Sequence, residues 1–227
     1  KSGSMRDMVQ SHIMQILSLV AMEPPVNLNT DSIRTEKLKV IEAIEDITPE
    51  FLRDNIVFGQ YGKGIIDGAE VSGYLDEERV SKDSRTETFV AMKLHINNFR
   101  WAGTPFYIRT GKRLGSYGAE IVIQCKELPN ILYFKDSNIQ EPNLLVIRIQ
   151  PNVGVFFQFN TKDFSTHHDI VPTKMDTSYA NPSQGNTPEA YERLIYDILR
   201  GDSTLFSRWD EVEAAWSFAD KIIRYRE

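Results

Sequence analysis

A helical spacing of apolar residues is the first pattern in the chain. It predicts an amphipathic helix over residues 5–22, and its apolar members are Met5, Met8, Val9, Ile13, Ile16, Leu17 and Val20. His12 falls within this stripe rather than opposite it. Pro24 and Pro25 end the helix, because the residue before a proline is disfavoured in the helical conformation.

Two shorter helices are predicted next. Cap candidates in Asn29-Thr30-Asp31-Ser32 start a helix that runs to about residue 44, with apolar residues facing inward. Thr48-Pro49-Glu50 starts a further short turn of helix.

In the middle of the chain, alternation of apolar and polar residues replaces the helical spacing. It predicts strands over residues 56–61, 86–96, 106–109, 119–126, 131–134, 144–150 and 155–160. Residues 62–84 are polar and rich in glycine, which predicts a long surface loop. The strands follow one another through short connections with no helix between them, and this order predicts an antiparallel sheet.

Helical spacing returns at the end of the chain. Thr187-Pro188-Glu189 starts one helix, which stops at Gly201, and Ser207 caps the last. The inward residues predicted for these two helices are Ala190, Leu194, Ile195, Ile198 and Leu199, then Val212, Ala215, Trp216, Ala219 and Ile223. The predicted fold class is therefore α+β, a large, mainly antiparallel sheet with helices packed on one face. We expect one continuous domain over residues 1–227.

Composition and charge narrow the class of partners. The formal net charge of −6 argues against nucleic acid and anionic membranes, which bind clustered Lys and Arg. The single cysteine, Cys125, excludes an internal disulfide and fits a reducing compartment. No apolar run approaches the roughly 20 residues that span a bilayer, and no signal-peptide pattern opens the chain. A cytoplasmic location is the expectation.

The sequence lacks the common cofactor motifs. No glycine-rich phosphate fingerprint lies between a strand and a helix, so no dinucleotide site is expected in this chain. No Cys or His cluster has metal-ligand spacing, and the adjacent rings of His167 and His168 point apart in a strand. We expect no metal site.

Three side chains carry candidate chemistry, each with a structural alternative. His12 carries an imidazole, the side chain best suited to a general base near neutral pH, or it is a core histidine that hydrogen-bonds a carbonyl. Asp7 lies five residues earlier, about 140° around an α-helix, and equally fits a first-turn carboxylate favoured by the helix dipole. Lys112, after Gly111 at the end of a strand, fits either a ligand for a phosphate or sugar hydroxyl or a solvated turn lysine.

Ordered motifs nevertheless resemble one family. The segment Arg6-Asp7-Met8-Val9-Gln10-Ser11-His12 resembles the helix of glucose-6-phosphate dehydrogenases that carries the catalytic histidine. Further matches follow in family order at residues 19–25, 59–61, 73–76, 100–106, 109–114, 149–152 and 189–195. The resemblance implies the carboxy-terminal domain of such an enzyme, beginning just before the catalytic helix and lacking the amino-terminal Rossmann domain.

The resemblance also implies roles. His12 is implied as the general base that takes the anomeric hydroxyl proton of glucose 6-phosphate, with hydride transfer to NADP and a lactone product. Asp7 and Lys112 are implied as substrate ligands. NADP is expected to bind mainly to the missing domain, the chain alone to be inactive, and the protein to form a homodimer through its sheet.

One position departs from the family pattern. Tyr117 stands five residues after Lys112, where many members carry a lysine or an arginine. Either a neighbour such as Arg113 supplies the charge or the loop differs in shape. A non-catalytic sheet domain that dimerises or binds sugar phosphates remains the alternative function.

Overall fold

A computed structural model describes residues 2–66, 68–127, 141–165, 170–178 and 190–226. The chain divides into two compact units. One is formed by residues 1–115 with 188–227, and the other by residues 116–187. The expectation of one domain over residues 1–227 stays a prediction, and each unit is described by itself.

The first unit contains the helices of the described chain. They are a π-helix at Met5–Ile13, α1 at Met14–Ala21, α2 at Thr30–Glu42, α3 at Pro49–Asn55, a 3₁₀ turn at Tyr74–Asp76, α4 at Ala190–Arg200 and α5 at Trp209–Arg226. Two predicted starts are confirmed by side-chain caps. The Asn29 side chain accepts a hydrogen bond from the Ser32 amide at 2.8 Å, and Thr48 accepts one from the Phe51 amide at 3.1 Å.

The strands of this unit form two antiparallel sheets. They are β1 at Ile56–Gly59, β2 at Gly64–Ile66, β3 at Ala69–Val71, β4 at Phe89–His95 and β5 at Pro105–Gly111. The larger sheet has the order β1-β4-β5, and β2 pairs with β3 as a separate hairpin. That hairpin lies within the segment predicted as loop. The prediction was wrong here because neither strand buries a face, so no alternation of apolar residues marks it.

Helices cover one face of the three-stranded sheet, as predicted. Val90, Met92 and Leu94 alternate along β4, are at most 4% exposed, and pack with helical residues in one core cluster. The helical members of the cluster are Met5, Val9, Met14, Leu17, Ala21, Val40, Ala215, Phe218, Ala219 and Ile222. The opposite face is open, since Val57 on β1 and Tyr107 on β5 are 62% and 75% exposed.

The second unit is a four-stranded antiparallel sheet. It contains β6 at Ala119–Gln124, β7 at Leu144–Gln150, β8 at Gly154–Lys162 and β9 at Ile170–Ser178, paired in chain order. Strand β9 was not predicted because most of its side chains are polar and exposed, as an edge strand permits. The strand predicted over residues 131–134 lies outside the described residues.

The α+β class is thus confirmed, and every strand pair in the described ranges is antiparallel. These strands are shared among three sheets. Two helices differ in part from their predicted packing, because Ile195, Ile198 and Leu199 on α4 are 58–80% exposed and Trp216 on α5 is 38% exposed instead of inward. Across the part of the chain that the structure describes, no helix combines the length and apolar character of a membrane span.

Candidate active site

The helix that carries His12 begins as a π-helix, and its burial repeats every five residues. Ser4-Met5 and Val9-Gln10 are buried pairs, while Arg6-Asp7 and Ser11-His12 are exposed pairs. The amide of Met14 donates to the carbonyl of Val9, five residues back, which is the π pattern. After this point burial follows the usual α-helical spacing.

The π-helix changes what the sequence predicted for His12. In an α-helix a separation of five residues turns a side chain by about 140°. A π-helix closes a hydrogen bond between residues five apart, so such residues lie about one turn apart on the same side. Asp7 and His12 therefore share the exposed face. The placement of His12 in the buried stripe, and the interpretation as a core histidine, are both wrong for this reason.

Lys112 comes to the same face from the sheet. It follows the last residue of β5, and its amide donates to the carbonyl of Thr88 at 2.9 Å. Gly111 permits this approach, because a Cβ there would lie 2.8 Å from the Phe89 ring. The Lys112 ammonium then lies 3.5 Å from the carboxylate of Asp7. The structure thus joins two of the three predicted residues directly and places the third on the face that Asp7 shares.

The Asp7–Lys112 ion pair is open to solvent. The two side chains are 50% and 45% exposed, and exposed pairs of this kind contribute only about 0–1 kcal/mol to stability. A weak pair can exchange its internal contact for contacts with a ligand. The carboxylate accepts from a hydroxyl, the ammonium donates to a hydroxyl or phosphate oxygen, and the imidazole can take a proton.

Arg113 contacts Glu77, Ser72 and Tyr61. Its guanidinium lies 2.6 Å from the Glu77 carboxylate, donates to the Ser72 carbonyl, and stacks 4.4 Å from the centre of the Tyr61 ring. Its φ of 58° is left-handed, so the chain turns sharply directly after Lys112. Arg113 therefore fixes the turn that presents Lys112 instead of acting as a free cation.

Tyr117, the departure from the family pattern, belongs to the second unit. Its side chain is 82% exposed, and its hydroxyl donates to the Gln150 side chain at 3.0 Å. The contact links the start of the unit to the last residue of β7.

Two lysines near the 3₁₀ turn at Tyr74–Asp76 change the pKa of the Asp76 carboxyl. A hydrogen bond from Lys82, and the charges of Lys63 and Lys82, lower the pKa of Asp76 below its ordinary value. This carboxylate therefore stays ionised and holds the loop beside Glu77 through its lysine contacts.

The sequence did not single out the residues that fix this site in place. Glu87 accepts from the first amide of the π-helix, and Trp101 donates from its indole to the carbonyl of Ala21 at 2.8 Å, where α1 ends. The helix is thus held at both ends by segments that flank β4. Nothing in the local sequence marks Glu87, because its partners are 82 and 139 residues away.

Metal ligands are not grouped in the described ranges. No cluster of three or more His, Cys, Asp or Glu side chains suited to a metal ion occurs there. His167 and His168 lie outside the described residues.

Fold and site together define a class of protein. This is an α+β domain in which a helix carries an imidazole and a carboxylate on one exposed face, and a strand end brings an ammonium next to that carboxylate. A family model described as glucose-6-phosphate dehydrogenase, C-terminal domain, matches residues 1–227. The chain belongs to this family.

Individual relatives agree. The glucose-6-phosphate 1-dehydrogenase of Bacillus subtilis is 52% identical over 222 residues, which cover 98% of this chain and 45% of the relative. That of Mycolicibacterium smegmatis is 46% identical over 225 residues, or 99% of this chain and 45% of the relative. The chain therefore spans less than half the length of these relatives.

Solved structures give the same result. A glucose-6-phosphate dehydrogenase in complex with its substrate glucose-6-phosphate matches with a TM-score of 0.89 at 37% identity, over 100% of this chain and 45% of that one. Glucose-6-phosphate 1-dehydrogenase from Mycobacterium avium matches with a TM-score of 0.79 at 33% identity, over 98% and 44%.

Proposed function

We propose that this chain supplies the sugar-binding and general-base part of an enzyme that oxidises glucose 6-phosphate to 6-phosphogluconolactone, the first step of the pentose phosphate pathway. The observation that carries the proposal is the shared exposed face of the π-helix, where Asp7 meets Lys112 and His12 faces solvent. Family membership supports it. The amino-terminal portion found in the longer relatives is proposed to complete the site.

In the proposed reaction His12 takes the proton of the anomeric hydroxyl. An electron pair on the resulting alkoxide oxygen forms the carbonyl of the lactone. At the same time the hydrogen on that carbon leaves with the two electrons of the C–H bond as hydride. A well-placed base is worth roughly 10²–10⁴-fold in rate. Asp7 accepts a hydrogen bond from a sugar hydroxyl, and Lys112 donates to another substrate oxygen.

NADP is the proposed cofactor, and when bound it accepts the hydride. The described residues of this chain do not fit it. Their paired strands are all antiparallel, and within these ranges no strand leads through a glycine-rich turn into a helix, the arrangement that receives a pyrophosphate. Cofactor binding is therefore assigned to the amino-terminal portion, and the chain alone is expected to be inactive.

Assembly as a homodimer through the sheet is also proposed. In the second unit Phe157 on β8 and Met175 on β9 lie opposite each other and are 36% and 65% exposed, which supports an apolar contact surface. A cytoplasmic location is proposed from the single cysteine. Neither nucleic acid nor membrane is proposed as a partner, given the net charge of −6.

The decisive experiment compares variants of the full-length protein that carries this chain. His12→Ala should lower turnover of glucose 6-phosphate with NADP by roughly 10²–10⁴-fold. Asp7→Asn and Lys112→Ala should mainly raise KM for the sugar phosphate. His95→Ala is the matched control, since His95 pairs with Glu45 at the far end of β4 and is given no role.

Several outcomes would contradict the proposal. Near-normal turnover of a folded His12→Ala enzyme would remove His12 as the base. A full-length protein that binds glucose 6-phosphate but reduces no NADP would favour the non-catalytic alternative. Reduction of NADP by the 227-residue chain alone would contradict the division of labour between the two portions.

A further inference from the structure

Glu87 lies two residues before the start of β4 and is nearly enclosed, at 7% exposed. Its carboxylate accepts from the Met5 amide at 3.0 Å, and its main-chain carbonyl accepts from the Ser4 amide at 3.1 Å. Amides at the start of a helix have no partner within the helix. Glu87 therefore satisfies two such donors of the helix that carries Asp7 and His12.

The fit around this carboxylate is tight. Gly3 has a φ of +87°, and a Cβ at this position would lie 2.4 Å from the Glu87 carboxylate oxygen. The Arg226 guanidinium, at the end of α5, donates to the other carboxylate oxygen. It also lies 4.6 Å from the centre of the Phe58 ring. A buried carboxylate is costly without such a partner, so α5 holds Glu87 in its charged, helix-binding position.

Thr88, the next residue, contacts the strand end that carries Lys112. The Thr88 carbonyl accepts from the Lys112 amide at 2.9 Å, and its hydroxyl accepts from the Tyr61 amide at 2.9 Å. Thr88 is 3% exposed. Two consecutive buried residues thus bind the start of the His12 helix and the residue that bears the site ammonium.

We propose that Glu87 is a positioning residue for the active site, because it fixes the π-helix, and with it Asp7 and His12, against the strand end that bears Lys112. This proposal rests on the proposed function. Glu87 acts through main-chain contacts and does not touch substrate. Its effect follows from the distance dependence of catalysis, where a displacement of about 1 Å can cost about 10²-fold in rate.

Steady-state kinetics of the full-length enzyme test the proposal. Glu87→Ala should lower kcat/KM about 10²-fold, with the larger part of the loss in kcat. Glu87→Gln should recover most of it, because an amide oxygen still accepts from the Met5 amide. Gly3→Ala, which presses on the same carboxylate without removing a charge, should lower kcat/KM in the same direction.

Glu45→Ala is the matched control. The Glu45 carboxylate also accepts a main-chain amide and pairs with a side chain, but it does so at His95, the opposite end of β4. A structural role alone predicts similar losses for Glu45→Ala and Glu87→Ala. The positioning role predicts that the folded Glu45→Ala enzyme stays within a few-fold of the parent.

The outcomes separate this proposal from the one on which it rests. Loss of turnover in His12→Ala with parental rates in folded Glu87→Ala would overturn the positioning role and leave the general base intact. Parental rates in His12→Ala would overturn the proposed function itself. If Glu87→Ala does not fold, parental rates in Gly3→Ala overturn the positioning role.

Discussion

A buried ion pair and a hydrogen bond to the same lysine join α1, α2 and α5. The Lys37 ammonium on α2 lies 2.8 Å from a Glu211 carboxylate oxygen on α5, and the two side chains are 6% and 0% exposed. Lys37 also donates to the side chain of Gln15 on α1, at 2.7 Å, one turn beyond His12. The second carboxylate oxygen of Glu211 is buried with no hydrogen-bond partner among the described residues.

The distance between the Lys37 and Glu211 charges determines how strongly they attract. At 2.8 Å two unit charges attract by about 6 kcal/mol at an effective dielectric constant of about 20. Desolvation costs several kcal/mol for each ion, so the intact pair makes a net contribution to the free energy of unfolding that is close to zero. Removing one partner strands the other charge and should cost about 3–5 kcal/mol. Glu211→Leu is therefore expected to lower the free energy of unfolding by this amount.

A double variant that removes both charges should not lose stability. Lys37→Met with Glu211→Leu removes both charges and the partnerless oxygen, so the double variant should equal the parent or exceed its stability by about 1–4 kcal/mol. Urea denaturation followed by circular dichroism measures all four members of the cycle, and equal m-values would show that the denatured states are comparable. A loss below about 1 kcal/mol in Glu211→Leu would refute the reasoning, since a stranded buried charge costs more.

Three further predictions follow from local contacts. Gly111→Ala should destabilise the protein by about 1–3 kcal/mol in urea denaturation, because the new Cβ meets the Phe89 ring at 2.8 Å; an unchanged midpoint would contradict this. Trp101→Phe replaces the indole with a smaller ring that has no N–H donor, so urea denaturation should show a loss of at least about 0.5–1.5 kcal/mol from the missing hydrogen bond to the end of α1. A hydrogen bond from Arg208 lowers the pKa of Asp210 below its ordinary 3.8, so this stabilisation is present above that value and lost as the pH falls through the folded-state pKa. Asp210→Asn should therefore flatten the decline of unfolding free energy with acid, and an unaltered pH dependence would contradict it.

Elements with a buried face were predicted well from the sequence. Strand β4 is the clearest case, because the alternation of Val90, Met92 and Leu94 is imposed by a face that packs against helices. Caps such as Asn29 and Thr48 were also predicted, since a capping side chain acts within three residues of its own position. The β2-β3 hairpin and β9 were missed because their side chains are mostly exposed.

The sequence alone determined which residues are candidates at the site. An imidazole, a carboxylate and an ammonium stand in an order that resembles one family, and that order is independent of conformation. Tertiary structure decided where they point. The π-helix turns His12 out of the predicted stripe onto the face of Asp7, and β5 delivers Lys112 to within 3.5 Å of that carboxylate. The contacts behind this geometry, above all those of Glu87, join segments far apart in the chain, so no local pattern records them.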